Sequence, residues 1–262
     1  MDNDDRQIGY VLSRREALKL LGVASGALLA GCAPGAVPTT SAPSQTPVSG
    51  STTAPSDVPT EAASAATDTA PACIVRPEQT EGPYFVDEKL ERSDIRSDPT
   101  TGEVKEGELL ALTFNVSQVT GSGCTPLAGA TVDVWHCDAL GVYSDVSDPG
   151  FNTAGQKFLR GYQVTDANGT AAFTTIYPGW YSGRTVHIHF KVRTDQNFEF
   201  TSQLFFDEAL SDQVFTQAPY ASKGQRNTLN STDNIYDDLL LLTVTQTDQG
   251  YAATFDIGLQ MA

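Results

Sequence analysis

Basic charge is scarce in this chain of 262 residues: 16 lysines and arginines stand against 32 aspartates and glutamates, a formal charge of −16. With no basic stripe to grip phosphates or anionic headgroups, the composition argues against a nucleic-acid reader and against charge-driven lipid binding by the domain surface. The acidity suits solubility outside the cell. No Gly-rich phosphate loop follows a strand-like segment, so nucleotide chemistry is not indicated, and no internal repeat is present. Histidine is rarer still, with three in all. Any site built on imidazole must therefore use most of them.

Long apolar runs are absent apart from Leu20 to Ala30, which is too short and too rich in Gly and Ala to span a bilayer as a stable helix. It follows Ser13-Arg14-Arg15-Glu16-Ala17-Leu18-Lys19, a twin-arginine export pattern, and ends in Leu29-Ala30-Gly31-Cys32, which resembles a lipobox with Cys32 as the acylated residue. Residues 1–32 are expected to be a signal segment of the twin-arginine type, placing the mature chain on the extracellular face, lipid-anchored to the membrane. From 33 to 72 the sequence lacks aromatics, Leu and Ile, and reads as a disordered Ala/Pro/Ser/Thr linker that cannot bury enough apolar surface to offset the entropy of ordering. As a flexible coil its ends would lie on the order of 35 Å apart. Residues 73–262 are left as one folded domain. Of the four cysteines, Cys73 and Cys124 are expected to pair in an oxidising compartment, and Cys137, on the same face as Trp135, reads as a buried free thiol.

Alternation with period two marks Leu110, Leu112, Phe114 and Val116 as one strand face and Tyr251, Ala253, Phe255, Ile257 and Leu259 as another. Asn168-Gly169, between Gly161 to Thr165 and Thr170 to Ile176, predicts a hairpin, and Asp248-Gln249-Gly250 predicts a second between Leu239 to Gln246 and the final strand. Short strands with frequent turns point to an all-β antiparallel sandwich. It is interrupted by a short helix over Asp207 to Phe215 and a polar loop running to Asp238.

Between Thr185 and Val192, residues Val186, Ile188, Phe190 and Val192 share one face, so His187 and His189 project together from the other. They could be a pair of satisfied histidines on a half-exposed strand. Two tyrosines at Gly-bearing turns, Tyr143 and Tyr181, favour a metal site instead. A tyrosine of pKa about 10 binds as phenolate only when a strongly Lewis-acidic ion displaces its proton, and hard anionic oxygens favour mononuclear Fe(III).

Gly82-Pro83-Tyr84-Phe85, Val132-Asp133-Val134-Trp135, Gly141-Val142-Tyr143, Thr165-Asp166 with Gly169, Thr175 through Tyr181 and His187-Ile188-His189-Phe190 together resemble the intradiol ring-cleavage dioxygenases, over about 82–206. The resemblance implies a non-haem ferric site with Tyr143, Tyr181, His187 and His189 as ligands, Tyr181 and His189 being axial. It also implies a catechol-type substrate cleaved by O2 between its hydroxylated carbons to a muconate-type diacid. In that scheme Tyr181 leaves the metal and takes a substrate proton, Arg184 and Gln203 stand beside the substrate, and Pro83 and Tyr84 line the pocket. The stretch between Tyr181 and His187 is shorter than in well-known cytosolic members, so Arg184 aligns with either of two family arginines. The helical dimerisation region of the catechol enzymes has no counterpart, which leaves the oligomeric state open. Two rivals stand beside this reading: an anchored sandwich that only binds, and a zinc or copper site using His136, His187 and His189. His136 otherwise reads as structural or supporting, and no histidine follows His189 to suit a cupin-type site.

Overall fold

The structure, a computed structural model, describes residues 74–121 and 123–261. The export segment, Cys32, the linker over 33–72 and Cys73 lie outside the described residues.

The domain is a sandwich of two sheets. One is built on β1 (Leu109–Thr120), flanked by β2 (Gly123–Pro126) and β7 (Thr170–Ile176) along one edge and β11 (Gly250–Leu259) along the other, with β10 (Val244–Thr247) outside β11. At 12 residues β1 is long enough to share an edge: β7 pairs with Leu109 to Asn115, and β2 with Ser117 to Thr120. The other sheet has the order β6 (Arg160–Val164), β3 (Thr131–Trp135), β8 (His187–Arg193), β9 (Glu199–Phe205). A small hairpin of β4 (Ser147–Asp148) and β5 (Phe151–Asn152) stands apart.

The alternation seen in the sequence is the alternation of burial. Leu110, Leu112, Phe114 and Val116 of β1 and Tyr251, Ala253, Phe255, Ile257 and Leu259 of β11 face Val132, Val134, Ile188, Phe190 and Val192 of the opposing sheet in one core. Phe114, Phe190 and Phe255 meet at its centre with ring centroids 5.2 and 5.6 Å from Phe190. Fully burying each such ring contributes roughly 1.5–3 kcal/mol. The expected helix is α1 (Glu208–Val214), started by Asp207, whose carboxylate accepts from the Leu210 N–H at 3.0 Å.

The all-β, antiparallel-rich sandwich is as expected, with the refinement that β1 and β11 run parallel, from Leu110 opposite Tyr251 to Gln118 opposite Leu259; one hairpin expectation is corrected. The intervening chain supplies the whole second sheet, a crossover long enough for a parallel pair. Asn168-Gly169 does not join two paired strands. Its turn closes locally, with the Asp166 N–H donating to the Thr170 carbonyl at 3.0 Å, but β6 then pairs with β3 and β7 with β1. The turn carries the chain from one sheet to the other. Gly169 adopts φ 75° against the Val116 carbonyl, a place no side chain could occupy. The second hairpin forms as expected between β10 and β11, shortened because Asp238–Leu240 makes a 3-10 turn instead of strand. Cys124 is disulfide-bonded and Cys137 is a buried free thiol.

Candidate metal centre

His187 and His189 leave β8 on the face away from the core, both almost wholly buried. The tyrosines arrive on two turns that touch. Asp138 shapes the first by accepting the Leu140 and Val142 N–H groups at 3.0 Å each, and the Gly179 N–H of the second donates to the Asp138 carbonyl at 3.1 Å. A Cβ on Gly141 would overlap the Trp180 carbonyl, and one on Gly179 would overlap those of Asp138 and Ala139. The glycines of both motifs are thus what lets Tyr143 and Tyr181 converge, with ring centroids 5.7 Å apart.

The polar atoms meet at His187 Nε2. His189 Nε2 lies 3.1 Å from it, Tyr181 Oη 3.2 Å and Tyr143 Oη 3.5 Å. On its far side, His187 Nδ1 lies 2.6 Å from the Thr185 carbonyl, which can only accept, so Nδ1 carries the proton and Nε2 presents a lone pair. That lone pair can take one hydrogen bond, yet three groups crowd it. His189 Nδ1 is buried without a hydrogen-bond partner among the described residues, its ring instead lying flat against Trp135 at 5.0 Å and 9°. Donors sharing a first-row ion at about 2.1 Å stand roughly 3.0–3.4 Å apart, so the cluster fits a cation held by two imidazoles and two phenol oxygens. Among the described residues no three His, Cys, Asp or Glu side chains group to hold a metal, so the tyrosines are indispensable to such a site.

Burial, reinforced by the Arg184 charge, pushes the His187 imidazolium pKa down to about 3 and takes His189 well below its ordinary value, with His187 as its next cause. Burial, then the neighbouring Tyr181, holds the Tyr143 phenol well above 10. The protein alone therefore provides two neutral imidazoles and a neutral Tyr143 phenol. Only a strongly charged ion would make Tyr143 a phenolate.

Arg184 turns inward. Its Nε donates to Asp233 Oδ2 at 2.9 Å and its Nη2 to Gln203 Oε1 at 2.6 Å, which brings together two of the predicted residues. Gln203 pairs across the sheet with His189 and donates to the Thr80 carbonyl at 3.0 Å. Tyr84 stacks on Tyr143 at 4.5 Å and donates to Asp148 Oδ2 at 2.8 Å, whereas Pro83 is exposed on the turn that delivers it. His136 is excluded from the centre: Nδ1 meets the Cys137 carbonyl at 2.8 Å and Nε2 meets Thr175 Oγ1 at 2.6 Å. With both nitrogens committed it is not a third ligand, which removes the form of the zinc or copper alternative that relies on His136.

Sequence reasoning missed Arg160 and Asp233. Arg160, buried, donates to the Tyr84 carbonyl at 2.7 Å and to Ser144 Oγ at 2.8 Å, tying the segment that carries Tyr84 to the one that carries Tyr143. Its only trace in the sequence is a cation at the start of a strand. Asp233 sits in the polar loop, one of several acidic residues there, with nothing to distinguish it.

A family model described as Dioxygenase matches residues 80–261. The chain belongs to the intradiol ring-cleavage dioxygenase family. The structure superposes on an intradiol ring-cleavage dioxygenase from Tetranychus urticae with a TM-score of 0.64 and 31% identity, covering 72% of this chain and 95% of that one. A chlorocatechol 1,2-dioxygenase of Pseudomonas putida is 29% identical over 145 residues, 48% of this chain and 52% of the relative. A protocatechuate 3,4-dioxygenase beta chain of Burkholderia cepacia is 32% identical over 152 residues, 52% and 65%. The chain spans about half the length of the first curated relatives it matches. Membership in the family weighs against the purely binding sandwich.

Proposed function

We propose that this protein is an Fe(III)-dependent dioxygenase that opens catechol-type rings between their two hydroxylated carbons. The observation that carries the reading is the convergence of Tyr143 Oη, Tyr181 Oη and His189 Nε2 on His187 Nε2 within 3.5 Å. Both atoms of O2 enter the product, so catechol plus O2 accounts for every atom of a muconate-type diacid. Tyr143, Tyr181, His187 and His189 would hold the iron, which when bound supplies a Lewis-acidic, one-electron-accepting centre for a catecholate.

The chain's own residues divide the remaining work. A catechol must lose two protons to bind as a dianion. Tyr181 is half-buried whereas Tyr143 is 1% exposed, so Tyr181 is the phenolate with room to swing away and accept a proton at Oη. Arg184, fixed between Asp233 and Gln203, places a cation beside the ligand set, where it favours anionic oxygen in a site short of water. Tyr84, pinned by Asp148, provides a flat wall next to Tyr143. The relatives named for chlorocatechol, catechol and protocatechuate support a small diphenol as substrate. The export pattern and Cys32 support a lipid-anchored enzyme on the outer face, meeting diffusible catechols or hydroxyquinols there.

Purified iron-loaded protein should be burgundy to red through tyrosinate absorption, its band should move on adding catechol, and oxygen uptake should follow. Tyr143→Phe and Tyr181→Phe should each change the colour. A colourless iron-loaded protein, or one that consumes no oxygen across a panel of catechols, overturns the proposal.

A further inference from the structure

The polar loop after α1 clasps the segment that leads into β8. Asn227 Nδ2 donates to Ser182 Oγ at 2.9 Å, and Thr185 Oγ1 donates to Asn230 Oδ1 at 2.6 Å. Asp233 Oδ2 accepts both Arg184 Nε at 2.9 Å and the Thr185 N–H at 2.8 Å, while its Oδ1 accepts the Ile235 N–H at 3.0 Å. The Arg184 and Asp233 side chains are only 6% and 1% exposed. Thr185 is the residue whose carbonyl accepts the hydrogen bond from His187 Nδ1–H.

We infer that Asp233 is a positioning residue for ring opening, one carboxylate oxygen fixing both the Arg184 guanidinium beside the site and the backbone that orients His187. This rests on the dioxygenase reading. With Nε engaged by Asp233 and Nη2 by Gln203, the guanidinium plane has a single orientation, and its charge reaches Tyr143, His187 and His189. An amide at 233 cannot reproduce this. Turned one way its NH2 group meets the Ile235 N–H, and turned the other way it meets both Arg184 Nε and the Thr185 N–H, so at least one of the three donors loses its acceptor.

The test is a double-mutant cycle of wild type, Asp233→Asn, Arg184→Ala and the double variant, each normalised to bound iron. Asp233→Asn is expected to lower kcat about ten- to hundred-fold, to move the resting visible band, and to leave the catechol concentration for half-maximal band shift within about threefold. In the Arg184→Ala background the same change should cost clearly less in kcat than it does in wild type, because one of the two groups it aims is gone while its hold on the Thr185 backbone remains. A wild-type kcat per iron in Asp233→Asn, or losses that multiply in the double variant, overturns the role and leaves a merely structural ion pair. Should Asp233→Asn fail to fold, Asp233→Glu keeps the charge but displaces it by a methylene; it should bind iron with a similarly depressed kcat, and a wild-type rate there overturns the role. A wild type without colour or catechol-dependent oxygen uptake would overturn the dioxygenase reading itself, and this inference with it.

Discussion

The outward face of β8 carries four polar residues in a row, His187, His189, Lys191 and Arg193, and its two halves are built on opposite terms. At one end Lys191 pairs with Glu81 and lies over the Phe85 ring, while Arg193 forks onto Asp133 at 2.7–3.0 Å and reaches Asp87 at 3.1 Å. Each cation there has its own carboxylate. At the other end two neutral imidazoles and two phenols turn their polar atoms on one another, with no carboxylate among them. Charges matched within the protein complete themselves; lone pairs gathered around a common point are completed by something else. The same alternation of side chains thus yields structure in one half and a site in the other.

The two histidines proposed as ligands differ within their half. His187 is steered by a hydrogen bond, His189 by the face of Trp135, its cross-strand neighbour. Trp135→Leu should therefore loosen His189 selectively. The expected outcome is a loss of about ten- to hundred-fold in iron affinity, read by chelator competition, together with a shifted resting band. Wild-type affinity in this variant would mean that β8 alone orients the ring and that stacking adds nothing.

Much of this was legible in the sequence. Period-two burial located β1, β8 and β11, and the rule that Gly punctuates turns located both tyrosines. What the sequence could not show were relations across the chain. The Asn168-Gly169 turn has the same residues whether its strands pair or part, and only the competition of β1 and β3 for partners decides. Asp233 and Arg160 are chemically ordinary until folding places one 49 positions from Arg184 and the other 76 from Tyr84. Arg184 itself was visible but ambiguous, and its inward direction comes from the partners that hold it.

His136 serves as an internal control for the site histidines, because it is equally buried but satisfied on both nitrogens. Burial lowers its pKa from 6.5 to about 4. The unfolded chain therefore takes up the proton first as pH falls, and the stability His136 contributes is complete above about 6.5 and is lost through the window down to about 4. Unfolding by urea should show a loss from this residue of about 2 kcal/mol between pH 7 and 5. His136→Gln should be less stable at pH 7 yet fall less steeply with acid, while its iron-bound colour stays unchanged. A slope equal to wild type would assign the acid sensitivity to His187 and His189 instead, whose pKa values are also depressed.

The smallest effect probes the boundary between the two halves. Lys191 is a poor choice for this, since it holds Glu81 next to the turn that delivers Tyr84. Asp133 lies at the ion-paired end of β8, opposite Lys191 and bonded to Arg193, with Tyr162 of β6 on its other side. Asp133→Asn keeps one acceptor for the guanidinium and leaves Asp87 in place, so it should cost about 1 kcal/mol of stability. Turnover per iron, the resting band and the catechol-induced shift should all match wild type. A tenfold fall in kcat would show that strain at the paired end travels along β8 to the imidazoles, and the division between a self-completed half and a ligand-completed one would have to be redrawn as a single coupled network.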